Sequence, residues 1–367
     1  MNRVEPRPDD PRPNLYGMSR AELETLLEAQ GAQRFHGDQV FRWLYARRCY
    51  DPALFTDLPK ATRAQLARVA RVEVPAIASR VVADDGTVKF KLAVGGGGNV
   101  ETVCMVQRER ITLCASSQVG CALMCGFCLT ARMGLVRHLT PGEIVGQIAL
   151  IQEAQQLGDR PFNVVFMGMG EPLHNYDGLV AAIRLLVDPA GFGLAKRRIT
   201  VSTSGLAPAI ERLANEPIRP RLAVSLNATT DAVRDRIMPV NRKYPIARLL
   251  TACRKFAKVT GERFTFEYVL LAGINDTDAD VTRLAKLLRA NPAKLNLIPF
   301  NEVPDWLPYR APELARIVAI RDRLLGMGLP VSIRWSRGAT ARAACGQLAV
   351  LDNTVVPAAL ARREVTL

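Results

Sequence analysis

The chain has 367 residues, 49% hydrophobic and 23% charged, a balance that suits a globular protein with one sizeable core and a smaller appendage. Its 49 lysines and arginines against 35 acidic residues leave a net charge of +14, which favours an anionic partner, most commonly nucleic acid. No apolar run approaches the ~18–20 residues of a membrane span, and the polar, proline-rich start lacks the apolar stretch of a secretion signal. No membrane partner and a cytoplasmic location are therefore expected.

Residues 1–14 carry four prolines and no periodicity, and disorder is expected there. Ser19 caps a helix with Leu23, Leu26 and Leu27 on one face, ended by Gly31. A second helix, about 37–48, turns Val40, Phe41, Leu44 and Tyr45 inward and Arg42, Arg47 and Arg48 outward, and a third runs about 61–70. Residues 15–72 thus read as a small helical accessory domain, either an RNA-docking unit or a cap on the end of a barrel. Alternating stretches 77–83 and 87–94 around Asp84-Asp85-Gly86 predict a β-hairpin, followed by a strand at 100–107, so 73–105 reads as a β linker.

From Ile111 onward short apolar strands alternate with helical segments. The strands are about 111–115, 163–168, 198–203, 221–226, 264–270, 294–299 and 330–335. The helices lie near 141–157, 176–187, 206–214, 231–237 with 246–259, 278–289 and 312–327. Such alternation predicts an α/β fold with parallel strands, as an open doubly wound sheet or a barrel, over 106–350. Residues 351–367 form a tail. With no coiled-coil pattern or exposed apolar stripe, a monomer is expected.

In folds of this kind the chemistry collects at the C-terminal strand ends, and the suggestive residues fall there. Cys121-Ala-Leu-Met-Cys125-Gly-Phe-Cys128 follows the first of these strands. Three thiolates at C-x3-C-x2-C spacing can hold one metal centre, because each is a soft, strong ligand. A structural zinc would want a fourth ligand at tight spacing, and His36, His138 and His174 form no such pair. A four-iron cluster on three cysteines instead leaves one iron open to a small molecule. The bland alternative is three core cysteines that merely lie close together.

Gly168-Met-Gly170-Glu171 ends the second strand, and its glycines would let backbone approach a ligand while Glu171 accepts from an ammonium group. Ser202-Thr-Ser204-Gly205, Ser225-Leu226-Asn227 and Pro299-Phe-Asn301 end the third, fourth and sixth, with small groups able to fix hydroxyls, a carboxylate or an adenine edge. Cys345, between small residues and Gly346, has the makings of a nucleophile toward a methyl sulfonium, or of a small buried hydrophobe. Cys114 carries the same ambiguity. Glu101 reads as a surface carboxylate. The basic groups Lys196-Arg197-Arg198 and Arg234, Arg236, Arg242 and Lys243 suit an anionic partner or a solvated loop.

The cysteine motif, with Phe127 just before its third cysteine, resembles the signature of the radical S-adenosylmethionine (SAM) enzymes. Leu113-Cys114-Ala-Ser-Ser117-Gln118-Val119-Gly120-Cys121, Phe166-Met-Gly-Met-Gly-Glu171-Pro172, Ser202-Thr-Ser-Gly205 and Ala344-Cys345-Gly346-Gln347-Leu348 narrow the resemblance. Together they are similar to the dual-cysteine radical SAM RNA methyltransferases, over nearly all of residues 17–350 and closest to the branch acting on adenine C2. The resemblance implies a partial (β/α)6 radical SAM barrel with a helical N-terminal domain. It implies one [4Fe-4S] cluster on Cys121, Cys125 and Cys128, and two SAM molecules per turnover. Gly170, Glu171, Ser202, Ser225, Leu226, Asn227 and Asn301 stand at the family's SAM-contact positions.

By the same resemblance Cys345 takes a methyl group from one SAM, and a 5′-deoxyadenosyl radical from the second removes hydrogen from that methyl. The resulting methylene radical adds to adenine C2, Glu101 takes the C2 proton, and Cys114 releases the product through a transient disulfide with Cys345. Implied partners are 23S rRNA, some tRNAs and an electron donor such as flavodoxin. The competing expectations are C8 methylation of the same rRNA adenosine, and a non-catalytic RNA-binding protein with a structural metal. Three departures from the family pattern bear on RNA positioning: Asn227 where His is common, the Arg337–Arg342 segment without acidic residues, and the neighbourhood of Asp305-Trp306-Leu307.

Overall fold

The structure is a computed structural model that describes residues 10–303 and 306–350. Residues 1–9 of the expected disordered start, Asp305, and the tail 351–367 lie outside the described residues. For residues 10–14 the expectation of disorder fails. Arg12 donates to Asp10 and to the Ala67 carbonyl, and Asn14 bridges to the backbone of Glu73.

Three helices come first: α1 (Arg20–Ala29), α2 (His36–Tyr45) and α3 (Lys60–Val69). Ser19 and Glu22 form a reciprocal capping box at the start of α1, satisfying amide groups the helix leaves unpaired. The helices bury Leu23, Leu27, Val40, Phe41, Leu44 and Leu66. The segment leading into α1 is held at close range on both sides: Tyr45 accepts from the Gly17 amide at 2.7 Å, and a side chain on Gly142 would strike the Tyr16 carbonyl.

The hairpin strands β1 (Ala76–Val82) and β2 (Val88–Ala93) pair antiparallel, as do β3 (Asn99–Gln107) and β4 (Arg110–Cys114). A short ribbon, β5 (Gln118–Gly120) with β6 (Leu135–His138), brackets the cysteine loop, and no periodicity in the sequence marks it. Next come α4 (Pro141–Ala154), β7 (Phe162–Phe166), α5 (Tyr176–Val187), β8 (Ile199–Thr203), α6 (Ala207–Ala214) and β9 (Arg221–Ser225). The chain continues with α7 (Asp231–Ile237), α8 (Ile246–Thr260), β10 (Phe264–Leu270), α9 (Asp278–Arg289), β11 (Ala293–Pro299), α10 (Leu314–Gly326) and β12 (Val331–Ile333).

The strand order β1-β2-β3-β4-β7-β8-β9-β10-β11-β12 makes one ten-stranded sheet. From β4 to β12 every pairing is parallel, and each crossover carries a helix. The expected α/β fold of parallel strands and crossover helices is therefore present, with six strand-to-helix units and a short last strand. The β-hairpin is not a separate linker in the sheet: β2 pairs with β3 and β3 with β4, so it extends the same hydrogen-bonded surface. Open ladder edges invite such extension, because every unpaired amide there seeks a partner.

Candidate active site

The segment Ala115–Gln118 carries the chain from β4 into the cysteine loop, and buried polar contacts hold it. Gln147 on α4, fully buried, accepts from the Ser116 amide and donates to the Ser116 carbonyl, both at 2.9 Å. Asn175 donates to the Ser117 carbonyl at 2.9 Å, and Ser116 Oγ accepts from the Met169 amide at 2.8 Å. Such pairing makes a buried polar cluster rigid, since each group would be costly unmet. The Gly168-x-Gly170 glycines owe their identity to this segment. A Cβ on Gly168 would lie 2.7 Å from the Ala115 carbonyl oxygen, and one on Gly170 2.6 Å from Gln118 Cβ. They let backbone approach backbone, and both also line the chamber described below, where the sequence suggested approach to a ligand.

Within the loop, Cys121 donates its amide to the Gly134 carbonyl at 2.8 Å, and the Gly126 amide donates to the Ile237 carbonyl at 2.9 Å. Burial pushes the Cys121 thiol up to about 12, and burial with the neighbouring charges of Cys128 and Cys121 raises Cys125 further. Burial raises Cys128 too, with Cys345 adding to the rise. Backbone amides beside two of the sulfurs, Leu123 at Cys121 and Ala131 at Cys128, oppose the rise. Donors of this kind favour thiolates. Among the described residues no three Cys, His, Asp or Glu side chains converge as a single-ion site would require. Three soft thiolates near enough to feel one another suit a polynuclear iron–sulfur cluster that leaves one iron open.

Beside the loop the strand ends form a chamber of about 150 Å3, lined by Cys125, Cys128, Gly170, Glu171, Ser202, Ser225, Asn227 and Asn301 among others. Glu171 is 2% exposed; its oxygens accept from the Leu173 amide at 3.0 Å and the Ser204 amide at 2.7 Å. Burial raises its pKa, and these amides partly offset the rise. Asn227 adopts a left-handed φ of 53°, which Asn tolerates better than most residues, and accepts from the Val269 amide at 2.8 Å. Leu226 alone among the expected cofactor contacts does not line the chamber: its side chain is buried and its carbonyl accepts from Arg234.

Cys345 lies on a strap, residues 338–350, laced across the strand ends. Asn301 donates to the Cys345 carbonyl at 3.0 Å, the Leu129 amide to the Gly346 carbonyl at 2.7 Å, and Thr130 to the Leu348 carbonyl at 2.5 Å. Below it a larger cavity of about 840 Å3 runs down the barrel interior and includes Cys114. Cys345, Asn301, Arg334 and Leu348 line both spaces. The structure thus sets one thiol at the junction of two chambers and the other in the lower. Burial, reinforced by Cys345, pushes Cys114 up to about 12, while Arg334 pulls it down.

Glu101 is 6% exposed, so the expected surface carboxylate is a buried one. Its Oε1 pairs with Lys89 at 2.8 Å and its Oε2 accepts from the Ala349 amide at 3.0 Å. It lines neither chamber but stands directly behind the strap. Burial raises its pKa, with Lys89 opposing.

Two arginines escaped the sequence reading. Arg234, placed there in a cluster for an anionic partner, is fully buried. It donates to the carbonyls of Leu226, Ser204 and Ser225 and to Asn241 Oδ1 at 2.7–3.0 Å, clamping the ends of β8 and β9. Arg334, just after β12, faces both thiols and stands 4.0 Å from Glu267. Neither has a local signal: a charge run looks the same whether the helix turns it in or out, and Arg334 meets the thiols only across the barrel.

Comparison with known proteins finds similar chains. A profile described as "Radical SAM superfamily" matches residues 116–286, and one described as "Ribosomal RNA large subunit methyltransferase N-terminal domain" matches 13–72. The chain is 48% identical over 351 residues to "Dual-specificity RNA methyltransferase RlmN" of Anaeromyxobacter sp. (strain Fw109-5), covering 94% of this chain and 92% of that one. It is 46% identical over 336 residues to the protein of that name from Geobacter sulfurreducens, covering 91% of each. A crystal structure of a radical SAM methyltransferase from Sphaerobacter thermophilus superimposes with a TM-score of 0.87 at 44% identity, covering 92% of this chain and 99% of the other.

Proposed function

The chain belongs to the RlmN family of radical SAM RNA methyltransferases, and from that premise we propose that it methylates C2 of an adenosine in 23S rRNA and of one in certain tRNAs. The observation that carries the reading is Cys345 at the junction of the two chambers. A thiol so placed can collect a methyl group on the cofactor side and deliver its carbon to a base on the other.

Cys121, Cys125 and Cys128 would hold a [4Fe-4S] cluster, and Gly170, Glu171, Ser202, Ser225, Asn227 and Asn301 would surround SAM, with Leu226 contributing backbone only. When bound, cluster and cofactor supply a methyl group and, after one-electron reduction by a donor such as a flavodoxin, a hydrogen-abstracting radical. Cys345 carries the methyl carbon as S-methylcysteine, and after loss of one hydrogen that carbon bonds to adenine C2. Adenine C2 is not nucleophilic, which is why the carbon is carried on sulfur rather than transferred by a polar step. The adduct's unpaired electron would return to the oxidised cluster as acceptor, and Glu101 takes the C2 proton, for which its place behind Ala349 requires the strap backbone to shift. Cys114, as thiolate, then attacks Cys345 sulfur. The C–S bond breaks, its electron pair leaves with carbon and is protonated, and a Cys114–Cys345 disulfide remains to be reduced.

The test is anaerobic reconstitution with iron and sulfide, then SAM, reductant and a 23S rRNA fragment, with nucleosides read by mass spectrometry. Wild type yields 2-methyladenosine, Cys345→Ala yields none, and Cys114→Ala leaves RNA covalently attached to protein in a denaturing gel. 8-Methyladenosine would overturn the assignment of position, and product from Cys345→Ala would overturn the mechanism.

A further inference from the structure

We propose that the N-terminal mouth of the barrel is where the RNA backbone docks, the target base reaching Cys345 from below through the larger cavity. The inference rests on the reading of the chain as an RNA methyltransferase and adds the face on which its substrate sits.

Strand geometry sorts the cavity wall by depth. Side chains two apart share a face, so β4 turns Arg110 and Cys114 into the same space, one at each end. Arg221 is the first residue of β9, Arg263 immediately precedes β10, and Lys294 is the second residue of β11. All line the cavity that holds Cys114 and Cys345. The thiols therefore stand at one end of the cavity and four cations at the other. These four are exposed, and among the described residues none makes an ion pair, whereas Glu262 is the one carboxylate lining that end. Lys196 and Arg197, exposed just before β8, extend the same face. Unpaired cations ringing an opening are what a phosphodiester backbone requires, and they contribute through counterion release.

The opposite approach is crossed by the chain itself. The strap and the cysteine loop are hydrogen-bonded to each other over the upper chamber, which at about 150 Å3 is also the place for the cofactor. The lower cavity, about 840 Å3, has room for an extruded nucleotide. Trp335, 51% exposed on its wall after β12, offers a ring on which a flipped or flanking base can stack.

The experiment compares two triple variants of equal charge loss: Arg221→Gln/Arg263→Gln/Lys294→Gln at the mouth, and Arg242→Gln/Lys243→Gln/Arg310→Gln on exposed loops at the opposite end. Binding of a labelled 23S rRNA fragment is measured by filter retention across a salt series, with methylation kinetics alongside. The mouth variant should bind at least about tenfold more weakly. Its slope of log K against log salt should be shallower by about 2, three contacts at ~0.7 each for single-stranded RNA. Its KM should rise while kcat at saturating RNA holds, and the control variant should stay within about twofold of wild type. Equal weakening of both triples, or weakening of the control alone, overturns the docking face. A wild type that methylates RNA beside an unaffected mouth variant overturns the docking face and leaves the methyltransferase reading intact. A wild type that neither binds nor methylates RNA overturns both.

Discussion

Replacing Arg234 by Met tests how the cofactor rim is held. The guanidinium is fully buried and donates four hydrogen bonds, to the carbonyls of Leu226, Ser204 and Ser225 and to Asn241 Oδ1. A hydrogen bond from a charged donor is worth about 1.5–3 kcal/mol, so the four make a gross loss of roughly 6–12 kcal/mol. Against this stands the cost of burying the cation, visible in the fall of its pKa to about 10. A desolvation penalty of several kcal/mol is recovered when the charge is removed. The net loss works out at about 3–5 kcal/mol, most of it from carbonyls left without a donor. At about 2 °C per kcal/mol for a large domain, Tm should fall by roughly 6–10 °C. Differential scanning fluorimetry of the unreconstituted protein reads this without any chemistry. Because Ser204 and Ser225 sit on the rim, the same variant should bind SAM more weakly at temperatures where it is folded. A Tm within about 2 °C of wild type would refute the clamp, and with it the claim that a buried cation rather than packing sets these strand ends.

Gly170→Ala should destabilise by about 2 kcal/mol or more, since its φ is +99° and the new Cβ would meet Gln118 Cβ at 2.6 Å; unchanged thermal stability would contradict this. Glu101 serves as a base only when ionised, and burial raises its pKa, so activity should be lost as pH falls through a value above the ordinary carboxylate range. Lys89→Met removes the opposing cation 2.8 Å away and should move that acidic limb to higher pH; a pH profile with the limb in place would exclude Glu101 as the titrating base. Arg334→Gln withdraws the cation that lowers the Cys114 pKa. The covalent RNA adduct should therefore persist longer in a quenched time course, and an adduct lifetime equal to wild type would refute the role.

Much of this molecule is legible in the chain because its signals are local. Strand and helix periodicity places β4, β7 to β12 and their crossovers within a few residues, and parallel topology comes from the alternation itself. The C-x3-C-x2-C spacing specifies a metal chemistry within eight residues, and the glycine-rich turn and small polar residues mark strand ends whatever the neighbours are. Residues whose meaning depends on distant partners were read poorly. Glu101 reads as a surface carboxylate because its burial is created by Lys89 across the hairpin and Ala349 at the far end of the chain. Arg234 reads as a surface base because nothing nearby records that α7 turns it under two strand ends. The β5–β6 ribbon is too short for a two-residue period to show, and its register comes from the loop it brackets.

Local pattern alone specifies the α/β alternation, the parallel sheet and the C-x3-C-x2-C motif. The place of Cys345 between two chambers, of Cys114 in the lower one and of Glu101 behind the strap comes from long-range packing. Periodicity and motif spacing act over a few residues and survive in the unfolded chain. A chamber, a buried charge or a thiol pair exists only when packing brings together groups hundreds of residues apart, and burial then sets their chemistry.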